Sequence, residues 1–236
     1  MARAAGLAVF MLAQTVVGTP ALSQSAATAS VPLGQGLGCE LHVWPTRDGV
    51  ANVQGVASVL LPFGSFVDRQ AHKQTNQTIA AAVVAKIPPE AQAAAMKRED
   101  VLSSLRLPAT TRVVIEDTLP AYDELGKDPV AKQRVSQLGE AVNAGRRISS
   151  SQSACYAELL VSAVGFARSP LDPPVLAVRW IFRRWQGTKP KNTIGWRRHW
   201  LPAGLGTNNF VAAQDTMMQD LYATTLIEWA RAKVKS

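Results

Sequence analysis

Cys39 and Cys155 are the only cysteines in the 236-residue chain, and they constrain its fold more than any other feature. Paired, they close a loop of over a hundred residues, which in the chain-entropy picture is worth about 4 to 5 kcal/mol less any native strain. An oxidising compartment makes that pairing the default. The segments that follow agree with it. Cys39-Glu40-Leu41-His42-Val43-Trp44 and Cys155-Tyr156-Ala157-Glu158-Leu159-Leu160-Val161 both read as strands that begin at the cysteine, so the bridge ties two strand starts together. No histidine lies near Cys155 in sequence to activate a thiolate, and neither cysteine reads as a nucleophile.

The N-terminus supplies the oxidising compartment. Arg3 is a short positive region, Ala4 to Val17 is uncharged and apolar, and Ala21-Leu22-Ser23 is a small-x-small site, so residues 1–23 read as a secretory signal peptide cleaved before Gln24. Gln14, Gly18 and Pro20 interrupt the stretch too early for a membrane span of about 20 apolar residues. Cys39 lies too far beyond it for lipoprotein processing. The expected product is periplasmic or secreted. Losing Arg3 leaves 24 basic against 17 acidic side chains, a net charge of +7. In an envelope that balance favours phospholipid headgroups, lipopolysaccharide phosphates, cell-wall polymers or an acidic protein. Nucleic acid is not the expected partner there, and DNA binding during uptake would need a steep salt dependence.

Residues 24–38 are uncharged and rich in Ser, Ala, Thr and Gly, a flexible leader ahead of a single domain over 39–236. Gly34-Gln35-Gly36-Leu37-Gly38 precedes a strand instead of following one, which removes it as a phosphate loop. Gly49 to Val67 contains no charge, and Val50, Val53, Val56, Ala57 and Leu60 recur at helical spacing. That pattern reads as a buried helix, with a short membrane-touching element as the alternative. Asp68 to Ile87 is an amphipathic helix striped by Ile79, Val83 and Ile87. Glu90 to Leu105 is a second helix, and Thr111 to Glu116 is a strand. Asp128 caps a third helix with Pro129 in its first turn and Gly145 at its end, and Gln214 to Val234 forms the last.

Between them, Cys155–Ala167, Val175–Trp185 and Thr193–Leu201 read as an antiparallel meander, giving an α+β fold with an antiparallel or mixed sheet and helices packed on it. Arg179 to Trp200 holds seven Arg or Lys side chains and four Trp residues, with no acid between Asp172 and Asp215. Such a run either sets cations and aromatic faces against an anionic partner or is a basic hairpin whose Trp residues fill the core. Alternation puts Leu176, Val178, Trp180 and Phe182 on one face of the middle strand, and Ile194, Trp196 and Trp200 are read as core-facing in the last. Arg179, Arg183 and Arg197 are then surface candidates for binding a ligand, with Lys189 and Lys191 at the hairpin tip.

Chemistry is sparse. His42, His72 and His199 are scattered, carboxylates do not cluster, and the motifs that mark serine hydrolases are absent, so neither a metal site nor a cofactor is expected. Glu40, His42, Glu116 and Glu158 are the best acid/base candidates, because strands can hold side chains rigidly at a cleft. They could equally be solvated faces. Asn76-Gln77-Thr78 matches a glycosylation acceptor but falls on an expected helix.

The motif Cys39-Glu40-Leu41-His42-Val43-Trp44-Pro45 behind a signal and leader, with Cys155-Tyr156-Ala157-Glu158-Leu159 later, resembles a group of exported bacterial proteins of unknown function. The order of elements is loosely similar to the α/β domain of envelope assembly lipoproteins related to the curli secretion pore and the periplasmic Tol-system proteins. The resemblance implies an envelope role and no particular chemistry. This chain lacks their lipidation cysteine. The expectation is a non-enzymatic envelope protein that binds an anionic component or a partner protein through its basic hairpin, with peripheral membrane contact left open. The alternative is an enzyme on envelope polymers with a dispersed site.

Overall fold

The computed structural model describes residues 38–54, 71–206 and 209–234, so the expected signal peptide and nearly all of the expected leader lie outside the described residues. Six strands form one mixed sheet: β1 (Glu40–Trp44), β2 (Gly49–Val53), β3 (Arg112–Ile115), β4 (Tyr156–Arg168), β5 (Val175–Gln186) and β6 (Lys189–Trp200). Their order is β3-β1-β4-β5-β6, with β2 following β1 along the same flank of β4. The β3-β1-β4 pairings are parallel and the β4-β5-β6 meander is antiparallel. Among the described residues five helices accompany the sheet: α1 (Lys73–Lys86), α2 (Pro89–Met96), α3 (Glu99–Ser104), α4 (Pro129–Asn143) and α5 (Asp215–Lys233). The α+β reading and the meander are as the sequence implies.

Glu40 pairs with Tyr156, one residue past each cysteine, and the Cys39–Cys155 disulfide extends that register with a Cα–Cα distance of 4.5 Å. It therefore fastens the starts of two adjacent parallel strands. Behind it, Leu41 and Val43, Leu159 and Val161, and Leu176, Val178, Trp180 and Phe182 form one apolar surface. Ile79 and Val83 of α1, Met96 of α2, Val101 of α3 and Met218, Tyr222, Leu226 and Trp229 of α5 share that core. Each such side chain stabilises the fold by about 1.5 to 3 kcal/mol on burial. Trp180 stands 5.3 Å from Trp229 and 6.0 Å from Tyr222, ring centre to ring centre. The run Leu159 to Phe166 would turn half its apolar residues outward if it alternated strictly. A bulge at Ser162 inserts one residue, so Val161 and Val164 both face the core.

Three expectations need correction. Gly49 to Val53 is strand β2, parallel to Val164–Arg168, and not the start of a buried helix; residues 55–70 lie outside the described residues. The close approach of Gly49 explains its identity, since a Cβ there would stand 2.4 Å from the Ala80 carbonyl oxygen of α1. The helix expected over Glu90 to Leu105 is two helices, α2 and α3, because Arg98 turns extended (φ −70°, ψ 135°). The break puts Glu99 and Asp100 in a first turn, where carboxylates suit the helix dipole, and Asp100 accepts two bonds from Arg98 at 3.0 and 3.2 Å.

The third correction concerns β6. The loop is only Gly187-Thr188, so Gln186 pairs with Lys189 and odd residues of one strand face even residues of the other. Trp180 on the core face therefore pairs with Gly195, whose missing side chain admits Trp229; a Cβ there would lie 3.2 Å from the indole nitrogen. Ile194, Trp196 and Trp200 consequently turn to the opposite face, 50%, 48% and 58% exposed. Register set by the short turn overrides their hydropathy.

Helix α4 starts and stops as read. Asp128 accepts from the amides of Val130 and Ala131, and Pro129 occupies the first turn. At its end the amides of Gly145 (φ +66°) and Arg146 bond to the carbonyls of Val142 and Ala141, a paired closure that needs the left-handed glycine. Its stripe Ala131, Val135, Leu138 and Val142 is only half-buried.

Candidate functional site

The alternate residues of β1 that do not enter the core, Glu40, His42 and Trp44, face the other side of the sheet, the first two together with Arg112 and Val114 of β3 and Tyr156 and Glu158 of β4. The serine-rich loop 149–153 borders this surface and leaves a cleft of about 460 Å³ lined by Glu40, His42, Arg112, Val114, Glu116 and that loop. Three of the four acid/base candidates from the sequence thus share one cleft, and the fourth, Glu158, is in register with His42 beside it. They form a chain. His42 Nδ1 lies 2.6 Å from Glu116 Oε1, and its Nε2 lies 3.2 Å from Glu40 Oε2. A neutral imidazole donates from only one nitrogen, so both contacts are hydrogen bonds only if the trio carries one further proton. Glu40 also accepts from the Ser151 hydroxyl and from Arg112. Those donors, Ser151 first, then Arg112 and His42, hold its carboxyl down at about 2. Glu40 is therefore a fixed anion, whereas Glu116, with 29% of its side chain exposed, is the carboxylate open to the cleft.

A second cluster adjoins the first through Tyr156, whose ring centre is 5.0 Å from that of His42. Tyr156 donates to Glu158 at 2.6 Å, the Ile148 amide donates to the same oxygen at 2.6 Å, and Arg183 donates to the other at 2.6 Å. Burial pushes the Glu158 carboxyl up, against the pull of these three donors, and pushes the Tyr156 hydroxyl up as well. Arg183 is 0% exposed, which removes it from the surface candidates. The cause is the chain that ends α4 and follows it. Arg183 donates to the Arg146 carbonyl at 2.9 Å, and its guanidinium lies 4.7 Å from the Trp185 ring centre. Arg183 Nε has no hydrogen-bond partner.

The remaining hairpin cations do not share a face. Arg197 and His199 turn toward α5, where Glu228 accepts from Arg197 at 3.0 and 3.2 Å and lies 3.3 Å from His199 Nδ1. Burial alone would raise the Glu228 carboxyl, but these two partners hold it below the ordinary range. Lys189 and Lys191 are exposed beside the tip, and their register with Gln186 and Arg184 puts them on that same side. Arg179 stands exposed on the other side, paired with Trp196 and next to the Ala177–Arg198 pair. The outer face thus presents Arg179 and Arg198 among Ile194, Trp196 and Trp200. Sequence reasoning missed Arg198 and the two outward tryptophans, although the parity of a two-residue turn would have revealed them. It also missed Ser151 and Arg112, which nothing in their spacing links to Glu40.

Among the described residues no group of three or more His, Cys, Asp or Glu is arranged to hold a metal ion, and no helix is long and apolar enough to cross a membrane. No family model matches the chain, and no curated protein matches it in sequence, so the functional reading rests on these two surfaces.

Proposed function

We propose that this chain is a non-enzymatic protein of the cell envelope, periplasmic or secreted after signal cleavage, that binds an anionic envelope component or a partner protein through the β5–β6 hairpin. The observation that carries the reading is the outer face of that hairpin, where Trp196 and Trp200 stand about half exposed beside Arg179 and Arg198. Large aromatics with arginines between them are the composition of binding hot spots, and solvated aromatics serve nothing in the core. The disulfide fits an exported protein, and the excess of basic residues favours an anionic partner.

The test is association of the purified mature chain with anionic phospholipid vesicles, lipopolysaccharide and envelope extract at low and high salt. Binding should weaken with salt and fall by at least roughly tenfold in Arg179→Glu/Arg198→Glu. Capture that ignores both salt and those charges would refute the reading.

The cleft favours a second reading, an enzyme acting on envelope polymers, because it puts the part-exposed Glu116 against His42 in a cavity large enough for a sugar or peptide unit. There Glu116 would exchange a proton with substrate while Glu40 keeps the imidazole oriented. Turnover of a labelled cell-wall polymer that is lost in Glu116→Gln, with hairpin binding intact, would decide for it.

A further inference from the structure

We infer that the free edge of β6 takes up an extended segment of an acidic partner protein as an added β-strand. This rests on the hairpin reading and names its partner class. Among the described residues β6 is hydrogen-bonded on one side only, to β5, over 12 consecutive pairs without a bulge. That is about twice the usual strand length, and at about 3.4 Å per residue it offers an edge roughly 40 Å long. Alternate backbone N–H and C=O groups along it point away from β5. Edges of this kind are usually shortened, bulged, covered or broken by proline. Here the only proline is Pro190, at the tip end, which leaves the stretch from Lys191 to Trp200 continuous. On the opposite side of the sheet the edge strands β3 and β2 have only four and five residues, and β3 borders the cleft.

The charge of β6 identifies what can pair with it. The strand carries Lys189, Lys191, Arg197 and Arg198 and no acid. A second copy paired antiparallel about Ile194 would set Lys191 against Arg197 twice over, which disfavours that register for self-pairing. A strand bearing carboxylates at those positions would instead meet a cation at each end. The outward row Ile194, Trp196 and Trp200 gives the incoming strand apolar neighbours at every second position along part of its length. The matching segment is therefore extended, with acidic residues alternating with β-branched or aromatic ones.

The probe is the blocked peptide Glu-Val-Glu-Val-Thr-Val-Glu-Val-Glu with the full mature protein, alongside two versions N-methylated at alternate residues, one along each edge. Strand addition predicts binding and a slowing of hydrogen exchange, on the order of tenfold or more, at alternate amides between Lys191 and Trp200. It also predicts that methylation along one edge weakens binding by at least roughly tenfold while the other version binds as well as the parent. Binding without protection of β6, or equal loss from both methylated peptides, would overturn strand addition and leave the hairpin reading standing. So would binding of anionic vesicles by a protein that ignores the peptide. Failure of both peptide and vesicles would overturn both readings.

Discussion

Replacing Glu40 with Gln tests whether the polar chain in the cleft is an electrostatic fixture of the fold. The carboxylate accepts from Ser151, Arg112 and His42, with its side chain 10% exposed, and its pKa falls from 4.5 to about 2. A shift of that size corresponds to about 3 kcal/mol of native stability at neutral pH. The sign follows from the depression. The contribution is fully present above the unfolded value of 4.5, declines as pH drops through the interval, and is gone near pH 2. Gln keeps the shape and one acceptor oxygen but not the charge, so E40Q should be about 2 to 3 kcal/mol less stable than the native chain at pH 7. The gap should narrow below about pH 4.5 and close near pH 2. Urea unfolding with the disulfide intact, followed by the fluorescence of buried Trp180 and Trp229, measures this directly. A difference under about 0.5 kcal/mol at pH 7, or one that persists undiminished at pH 2, would refute the reasoning.

Arg183→Met should cost about 3 to 5 kcal/mol, because it strands the buried Glu158 carboxylate; the double variant Arg183→Met/Glu158→Leu should recover much of that, and a double-mutant cycle by urea unfolding reads the coupling. Gly195→Val should lower stability by about 1 to 3 kcal/mol through collision with Trp229, visible as a lower thermal midpoint, whereas the same change at exposed Gly139, which has open space around it, should act only through helix propensity.

How much of this was legible in the sequence depends on what kind of information each feature needs. The disulfide and the two strand starts were legible because flanking composition is local. The cap at Asp128 and the glycine closing α4 were legible for the same reason. Strand parity in β6 was misread because the hydropathy of Ile194, Trp196 and Trp200 imitates a core stripe, while the deciding facts are a two-residue turn and a glycine under Trp229. Gly49 to Val53 was misread because a run of small apolar residues fits either period, and only pairing with Val164–Arg168 makes it a strand. Glu40, His42, Glu116 and Glu158 were legible as strand carboxylates and imidazole. Their convergence was not, since it depends on β3 and β4 flanking β1 from 72 and 116 positions away. Arg183 was read as surface because alternation says which face a residue takes but not what later covers that face.

The place of β1 between β3 and β4 sets the order in which this chain can become itself. A chain that emerges N-terminus first presents β1 long before either neighbour exists. Its inner strand can pair on one side only when β3 arrives and on the other only when β4 does, so most of the sheet closes late and over long loops. With one partner available to each cysteine, oxidation cannot choose a wrong mate. It can only come early, on a chain not yet paired, or late, on strands already in register. When it comes late, the bond between Cys39 and Cys155 is a seal set on β1 and β4 once they have met, and the time at which thiols disappear then marks the meeting of those two strands.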